Sequence, residues 1–355
     1  MPLLRQAGHR EVARRSGRIA RSLLALGLAT ASLAACSGTN PPSSQAAGPR
    51  FVVTTPILGS IASMIVACTE QGTVEVLMPN GADPHDFAPS SAQVADLVTA
   101  DLVIANGLGL EAGMQAALES ASTDGGKVWE VGPEVDPIPF DKPQTSEAHS
   151  DNEASPDGQV DGDGEVHGNE HGHSNDTLDP HFWFDMSRMS RAAELMGEQM
   201  QASSTSGSDT DFAECGRRAA AQITSAEAEV RKILESIPMQ RRILVTDHEA
   251  LGYLAHAYGF EIVGAVVPSA STLAEPTSAD LAELASLIRD RGVRAIFSNV
   301  SQPSQLANAV AEESGTEVVV VPLFIESLGE PGSPASDYIG MMRANAGLIA
   351  SGLAG

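Results

Sequence analysis

The chain has 355 residues, 42% of them hydrophobic but only 4% aromatic, enough for two ordinary domains with cores drawn mainly from Ala, Val, Leu and Ile. Its formal charge of −25 excludes the basic footprint of a nucleic-acid binder and suits a cationic partner or cargo.

The first segment is basic, with Arg5, Arg10, Arg14, Arg15, Arg18 and Arg21, and an apolar run from Leu23 to Ala35 follows. That run is too short for a permanent span, and the layout is that of a signal peptide over residues 1–35. Leu33-Ala34-Ala35-Cys36 reads as a lipobox, in which Cys36 is lipidated and becomes the new N-terminus. The alternative is a plain signal peptide with a coincidental cysteine. Acyl chains on Cys36 would anchor the protein to the outer face of a membrane. Residues 37–48, made largely of Ser, Gly, Pro, Asn and Ala, form a flexible tether. The leader's six arginines and one glutamate give it a charge of +5, so the chain without it carries −30.

From residue 51 strands and helices alternate. Phe51 to Thr55 is a β-branched strand ended by Pro56, and Ile57 to Cys68 has helical periodicity. A strand at Thr73 to Met78 precedes a helix at Ser91 to Ala100, with Ser90 or Ser91 as its cap. Asp101 to Ala105 is a strand, Gly107 and Gly109 mark a turn, a helix lies near Glu111 to Ala121, and Lys127 to Val131 is a short strand. Strict alternation predicts a parallel sheet flanked by helices.

Residues 134–178 break the pattern. This acidic, Gly- and Ser-rich stretch holds His149, His167, His171 and His173 and is too poor in apolar residues to order itself. Met186 to Gln201 is helical, and a long helical run covers Asp211 to Ile237. A run of that length serves as a rigid spacer between lobes. A second series then offers strands at Arg242–Thr246, Phe260–Val266, Arg294–Ser298 and Glu317–Val321. Its helices lie near Glu249–Tyr258, Ser278–Asp290, Pro303–Ser314 and Asp337–Ser351. The expected fold is α/β, with two lobes of roughly four parallel strands each, residues 49–203 and 239–355, joined by a linking helix within 204–238. Cys68 and Cys215 both fall in helical stretches, and could form a disulfide outside the cytoplasm or remain two buried thiols.

One tripeptide recurs: Asp83-Pro84-His85 and Asp179-Pro180-His181. Proline stiffens each as a loop at the exit of a strand or turn. His248 also directly follows an aspartate, at the end of the run Ile243 to Asp247. Ligands of alternating α/β folds gather at the carboxyl ends of strands, so these three imidazoles are candidates to share one metal ion. Asp83, Asp179 and Asp247 are candidate acceptors for the imidazole N–H groups, or simply turn residues.

The ordered set of motifs resembles the lipid-anchored zinc and manganese receptors of bacterial ABC importers. It comprises Gly81 to His85, Asn106 to Glu111, Asp179 to Trp183, Val245 to His248, Phe324 to Leu328, and Tyr338 to Asn345. The resemblance implies metal ligands at His85, His181 and His248. It places a fourth at Glu326, in Glu326-Ser327-Leu328, where the family usually has aspartate. Asn299 stands where the family often has an acid, and it is not assigned to the metal. Three imidazoles and one carboxylate suit tetrahedral Zn²⁺, whereas the family's manganese receptors resemble a more oxygen-rich set.

The histidines of the 149–173 stretch point the same way, since such loops mark the family's zinc receptors, and imply an auxiliary zinc-collecting segment. The alternative is a solvated acidic linker whose histidines bind nothing important. The implied function is an extracytoplasmic, monomeric receptor that carries Zn²⁺ to a membrane permease. A manganese or iron receptor, or a zinc-buffering surface protein without a transporter, are the alternatives. No His-Glu-x-x-His or nucleophile motif occurs, so catalysis is not expected.

Overall fold

The computed structural model describes residues 48–140, 178–204 and 211–354. The first sheet is built from β1 (Arg50–Val53), β2 (Thr73–Val76), β3 (Leu102–Ala105) and β4 (Val128–Glu130), all parallel in the order β2-β1-β3-β4. Its helices are α1 (Pro56–Thr69), α2 (Ser91–Thr99) and α3 (Gln115–Thr123). The sequence dictates these boundaries locally. Thr55 accepts the backbone N–H of Leu58 (3.3 Å) and Pro56 opens α1, while Ser90 and Gln93 close a reciprocal capping box on α2.

α4 (Met186–Ser203) and α5 (Phe212–Glu235) follow. The second sheet repeats the plan with β5 (Ile243–Thr246), β6 (Glu261–Ala265), β7 (Ala295–Asn299) and β8 (Val319–Leu323), parallel in the order β6-β5-β7-β8. Its helices are α6 (Gly252–Tyr258), α7 (Ser278–Arg291), α8 (Gln305–Ser314) and α9 (Tyr338–Ala354). Two parallel four-stranded sheets flanked by helices are thus present as read from the alternation. No helix among the described residues is long and apolar enough to cross a membrane.

Two features extend or differ from the sequence reading. The α5 helix, which spans roughly 36 Å at 1.5 Å per residue, is also a core element. Phe212, Ala219, Ile223, Ala226, Val230 and Leu234 are buried in a continuous cluster that also takes in Phe51 and Ile57 from one sheet's side and Leu323 and Tyr338 from the other. It packs along α4 through facing glycines: a Cβ on Gly197 would lie 2.6 Å from the Phe212 carbonyl oxygen, and one on Gly216 would lie 2.7 Å from that of Ala193.

Of the stretch 134–178 expected to be structureless, residues 134–140 are ordered, and residues 141–177 lie outside the described residues. Val135 is buried, Trp129 Nε1 donates to Glu134 (2.7 Å), and Pro139 bridges Leu178. Few apolar side chains suffice there because an aromatic ring and a strand-like bridge supply the contacts.

The core is largely aliphatic, as expected, but buried aromatic rings stand in it, among them Phe51 of β1 and Phe297 of β7. Trp183, Tyr253, Tyr338, Phe182 and Phe184 are among the largest fully buried side chains. Cys68 in α1 and Cys215 in α5 are joined by a disulfide, with Cα atoms 5.8 Å apart.

Candidate metal centre

In each sheet the chain order reverses beside the strand that comes first in sequence, so the crevices at the carboxyl ends of β1/β3 and β5/β7 are natural ligand positions. Four loops meet there. His85 follows β2, His181 follows the chain's return after β4, His248 follows β5 and Glu326 follows β8. All four are buried, at 3%, 0%, 1% and 2% exposure.

Local turns set the histidines. In each case the preceding aspartate accepts the histidine's own backbone N–H: Asp83 from His85 (2.9 Å), Asp179 from His181 (2.8 Å) and Asp247 from His248 (2.8 Å). Two of these carboxylates also orient the ring. Oδ1 of Asp179 lies 2.7 Å from Nδ1 of His181, and Oδ1 of Asp247 lies 3.0 Å from Nδ1 of His248. An ionised carboxylate can only accept, so Nδ1 carries a proton, and in the neutral ring Nε2 presents a lone pair.

Asp83 departs from this role. Its Oδ2 accepts from Thr272 Oγ1 (2.5 Å) and Gln302 Nε2 (2.7 Å), on the loops after β6 and β7 of the second half. It is a turn residue that ties the two halves together, because its free oxygen faces those donors and not the His85 ring.

The loops are held from behind. Asn106 donates to the carbonyl of Pro180 (3.0 Å). Glu111 takes the backbone N–H groups of Asn106 (2.6 Å) and Gly107 (3.0 Å) and the hydroxyl of Thr54 (2.7 Å), although burial pushes its carboxyl up. Gly107, with φ of +76°, supplies the left-handed turn this cradle needs. Tyr253 donates to the Asp179 carbonyl (2.8 Å), Trp183 to that of Ile325 (2.9 Å), and Tyr338 to that of Trp183 (2.7 Å). Asn345 brackets Phe324 with both ends of its amide (3.0 and 2.8 Å). Asn106, Glu111, Tyr338 and Asn345 stand in the motifs that carry the family resemblance, yet their positioning roles emerge only from tertiary contacts.

At the centre, Oε1 of Glu326 lies 2.9 Å from Nε2 of His85, 3.2 Å from that of His248 and 3.7 Å from that of His181. These approaches lack hydrogen-bond alignment, and all four atoms are buried without a hydrogen-bond partner. A buried unsatisfied polar atom costs about 1–3 kcal/mol, so four converging on one point define a place for a ligand. The atoms lie within 4.8 Å of one another. Neighbouring ligands of a tetrahedral zinc, at bond lengths of about 2.0–2.1 Å, would be roughly 3.4 Å apart, within the spread seen here. This donor set can hold one ion.

Charge within the cluster is strongly coupled. Burial favours neutral His248, but the charges of Glu326 and Asp247 outweigh it and raise the imidazole well above its ordinary value. Burial is likewise outweighed at His181, chiefly by Asp179. Against the effect of its own burial, Glu326 is held well below the usual carboxylate range by the charge of His248 and the close approach of the three rings. A cavity of about 310 Å³ lined by Asp247, His248, Thr272 and Gln302 lies beside the centre. Cys36, His149, His167, His171 and His173 lie outside the described residues.

Residues 51–352 match the family model described as zinc-uptake complex component A, periplasmic. The chain is 30% identical over 343 residues to the zinc-binding protein TroA of Treponema pallidum, covering 95% of this chain and 98% of that one. It is 24% identical over 306 residues to the manganese-binding lipoprotein MntA of Halalkalibacterium halodurans, with 86% and 89% covered. Its fold matches the solved structure of the periplasmic zinc-binding protein TroA from Treponema pallidum with a TM-score of 0.69 and 27% identity, over 86% of this chain and 99% of that one. A family match of this extent, over a fold with the same two-sheet plan, makes this chain a member of the ZnuA family of metal-binding solute-binding proteins.

Proposed function

We propose that this protein is an extracytoplasmic receptor that captures Zn²⁺ where its two lobes meet and delivers it to an ABC-type importer. The observation that carries the reading is the convergence of four unpartnered buried atoms, Nε2 of His85, His181 and His248 and Oε1 of Glu326. Three imidazoles and one carboxylate oxygen form a borderline, nitrogen-rich shell suited to zinc. The arrangement is one for binding: all four atoms face the ion, and no further base is needed.

Cys36 carries the lipid that holds the receptor at the outer face of the membrane, and residues 37–48 are its tether. His149, His167, His171 and His173 act as a weak collecting segment, in keeping with the acidic charge of the whole chain. Because α5 lies in the core common to both halves, ion release comes from shifts of the loop bearing His181 and small lobe movements.

Elemental analysis of the purified protein, with Zn²⁺ and Mn²⁺ in competition, tests the reading. One tightly held zinc per chain supports it, whereas preferential retention of manganese would transfer the assignment to the manganese receptors that the relative MntA exemplifies. Membrane fractionation of a Cys36→Ser variant tests the anchor, with release from the membrane as the expected result.

A further inference from the structure

Asn299 ends β7 at 1% exposure, and all four of its polar groups are engaged; its carbonyl accepts the backbone N–H of Gln302 (3.1 Å). Its backbone N–H donates to Oδ2 of Asp247 (2.6 Å), its Oδ1 accepts the backbone N–H of Ser301 (3.1 Å), and its Nδ2 donates to Oε2 of Glu326 (2.7 Å). The contact with Ser301 fixes the amide. A backbone N–H can only donate, so Oδ1 faces Ser301 and Nδ2 faces the carboxylate. Glu326 therefore has two unlike oxygens: Oε2 is occupied by Asn299, and Oε1 is the unpartnered atom directed at the three imidazoles.

We infer that Asn299 is a positioning residue that determines metal specificity, because its hold on Oε2 keeps Glu326 a one-oxygen ligand and limits the ion to four protein donors. The inference rests on the zinc-receptor reading above. A carboxylate released from Asn299 could turn both oxygens toward the ion and raise the coordination number to five. A larger, oxygen-richer shell favours a harder cation such as manganese. Through its backbone N–H the same residue steadies Asp247, which orients His248, so two of the four donors are set from one point on β7. The two departures from the family pattern thereby become one device. A carboxylate at position 299 would meet Oε2 as a second acceptor, while asparagine supplies the donor that a glutamate at 326 requires.

The test is cobalt(II) substitution together with zinc and manganese affinities for the wild type, Asn299→Asp and Asn299→Ala. The aspartate variant keeps the shape and loses the donor, and the alanine variant removes the donor without adding charge, so one serves if the other does not fold. The wild type is expected to give the intense visible absorption of four-coordinate cobalt. The variants are expected to give the weak absorption of a higher coordination number, and the zinc-to-manganese affinity ratio should fall by about tenfold or more. A purely structural role would weaken both metals alike and leave the ratio and the spectrum unchanged, and that result overturns the assignment of Asn299. A wild type that takes up neither zinc nor cobalt would instead overturn the receptor reading itself.

Discussion

Oε1 of Glu326 lies 2.9 Å from Nε2 of His85, so a side chain that follows β8 meets one that follows β2 across the junction of the two sheets. Neither sheet alone holds the full set of donors. His85 and His181 come from the first half, and His248 and Glu326 from the second.

The aspartates that orient the rings differ in a testable way. Asp179 and Asp247 touch Nδ1 of His181 and His248, whereas Asp83 touches only the backbone of His85 and the donors Thr272 and Gln302. Asp179→Asn and Asp247→Asn should each lower zinc affinity by about 10–100-fold. Asp83→Asn should cost less, because no ring loses its orienting partner. Competition against a chromogenic chelator reads all three.

Affinity should fall with acidity, and the sign follows from the shifts. His181 and His248 are raised above the ordinary histidine value, so protons occupy them at higher pH than usual and must leave when metal binds. Each displaced proton costs about tenfold in affinity per pH unit below the raised value. In the metal-free protein, raised imidazoles contribute stability that is complete below about pH 6.5 and is lost as pH rises through their folded values. Glu326, lowered, contributes above about pH 4.5 and loses its contribution as pH falls through its folded value. The metal-free form is thus best supported in mild acid. The zinc-induced rise in Tm should be larger at about pH 8 than at about pH 5.5.

The Cys68–Cys215 disulfide closes a loop of 147 residues and joins α1 to α5, away from the donor atoms. Replacing both cysteines by serine should lower stability by about 2–4 kcal/mol without changing zinc affinity. Denaturant unfolding and zinc titration of the double variant measure the two effects separately.

Close helix packing gives a further check. Gly197→Ala should destabilise by about 1–3 kcal/mol, since its Cβ would lie 2.6 Å from the Phe212 carbonyl oxygen. Gly347→Ala in α9 meets nothing within 4 Å and should stabilise by about 0.5–1 kcal/mol. Unfolding midpoints of the two variants should therefore move in opposite directions.

Much of the fold was legible because it is written in short-range terms. β-branched runs ending at proline, capping residues such as Ser90, and regular alternation are local signals, and they place both sheets. The three histidines could be singled out for the same reason: each follows an aspartate in a short motif, His85 and His248 after predicted strands and His181 in the segment that closes the first lobe. Glu326 had no comparable local signal and was identified only through the resemblance.

Asn299 was noted only as a departure. Its role depends on where β7 brings it relative to the loop after β8, which no local pattern encodes. Asp83 was grouped with the orienting aspartates because its tripeptide is identical to that of Asp179. The difference lies in Thr272 and Gln302, far along the chain. The burial of α5 was missed because length suggests a spacer, whereas the facing glycines that seat it against α4 matter only once the two helices are in contact.

The central claim is that three imidazoles and one carboxylate share a single ion. A crystal of the zinc-loaded protein, with anomalous scattering recorded at the zinc edge, tests it most directly. The account predicts one strong peak within about 2.0–2.2 Å of Nε2 of His85, His181 and His248 and of Oε1 of Glu326. A zinc bound elsewhere, or one that leaves two of these four atoms uncoordinated, would contradict it.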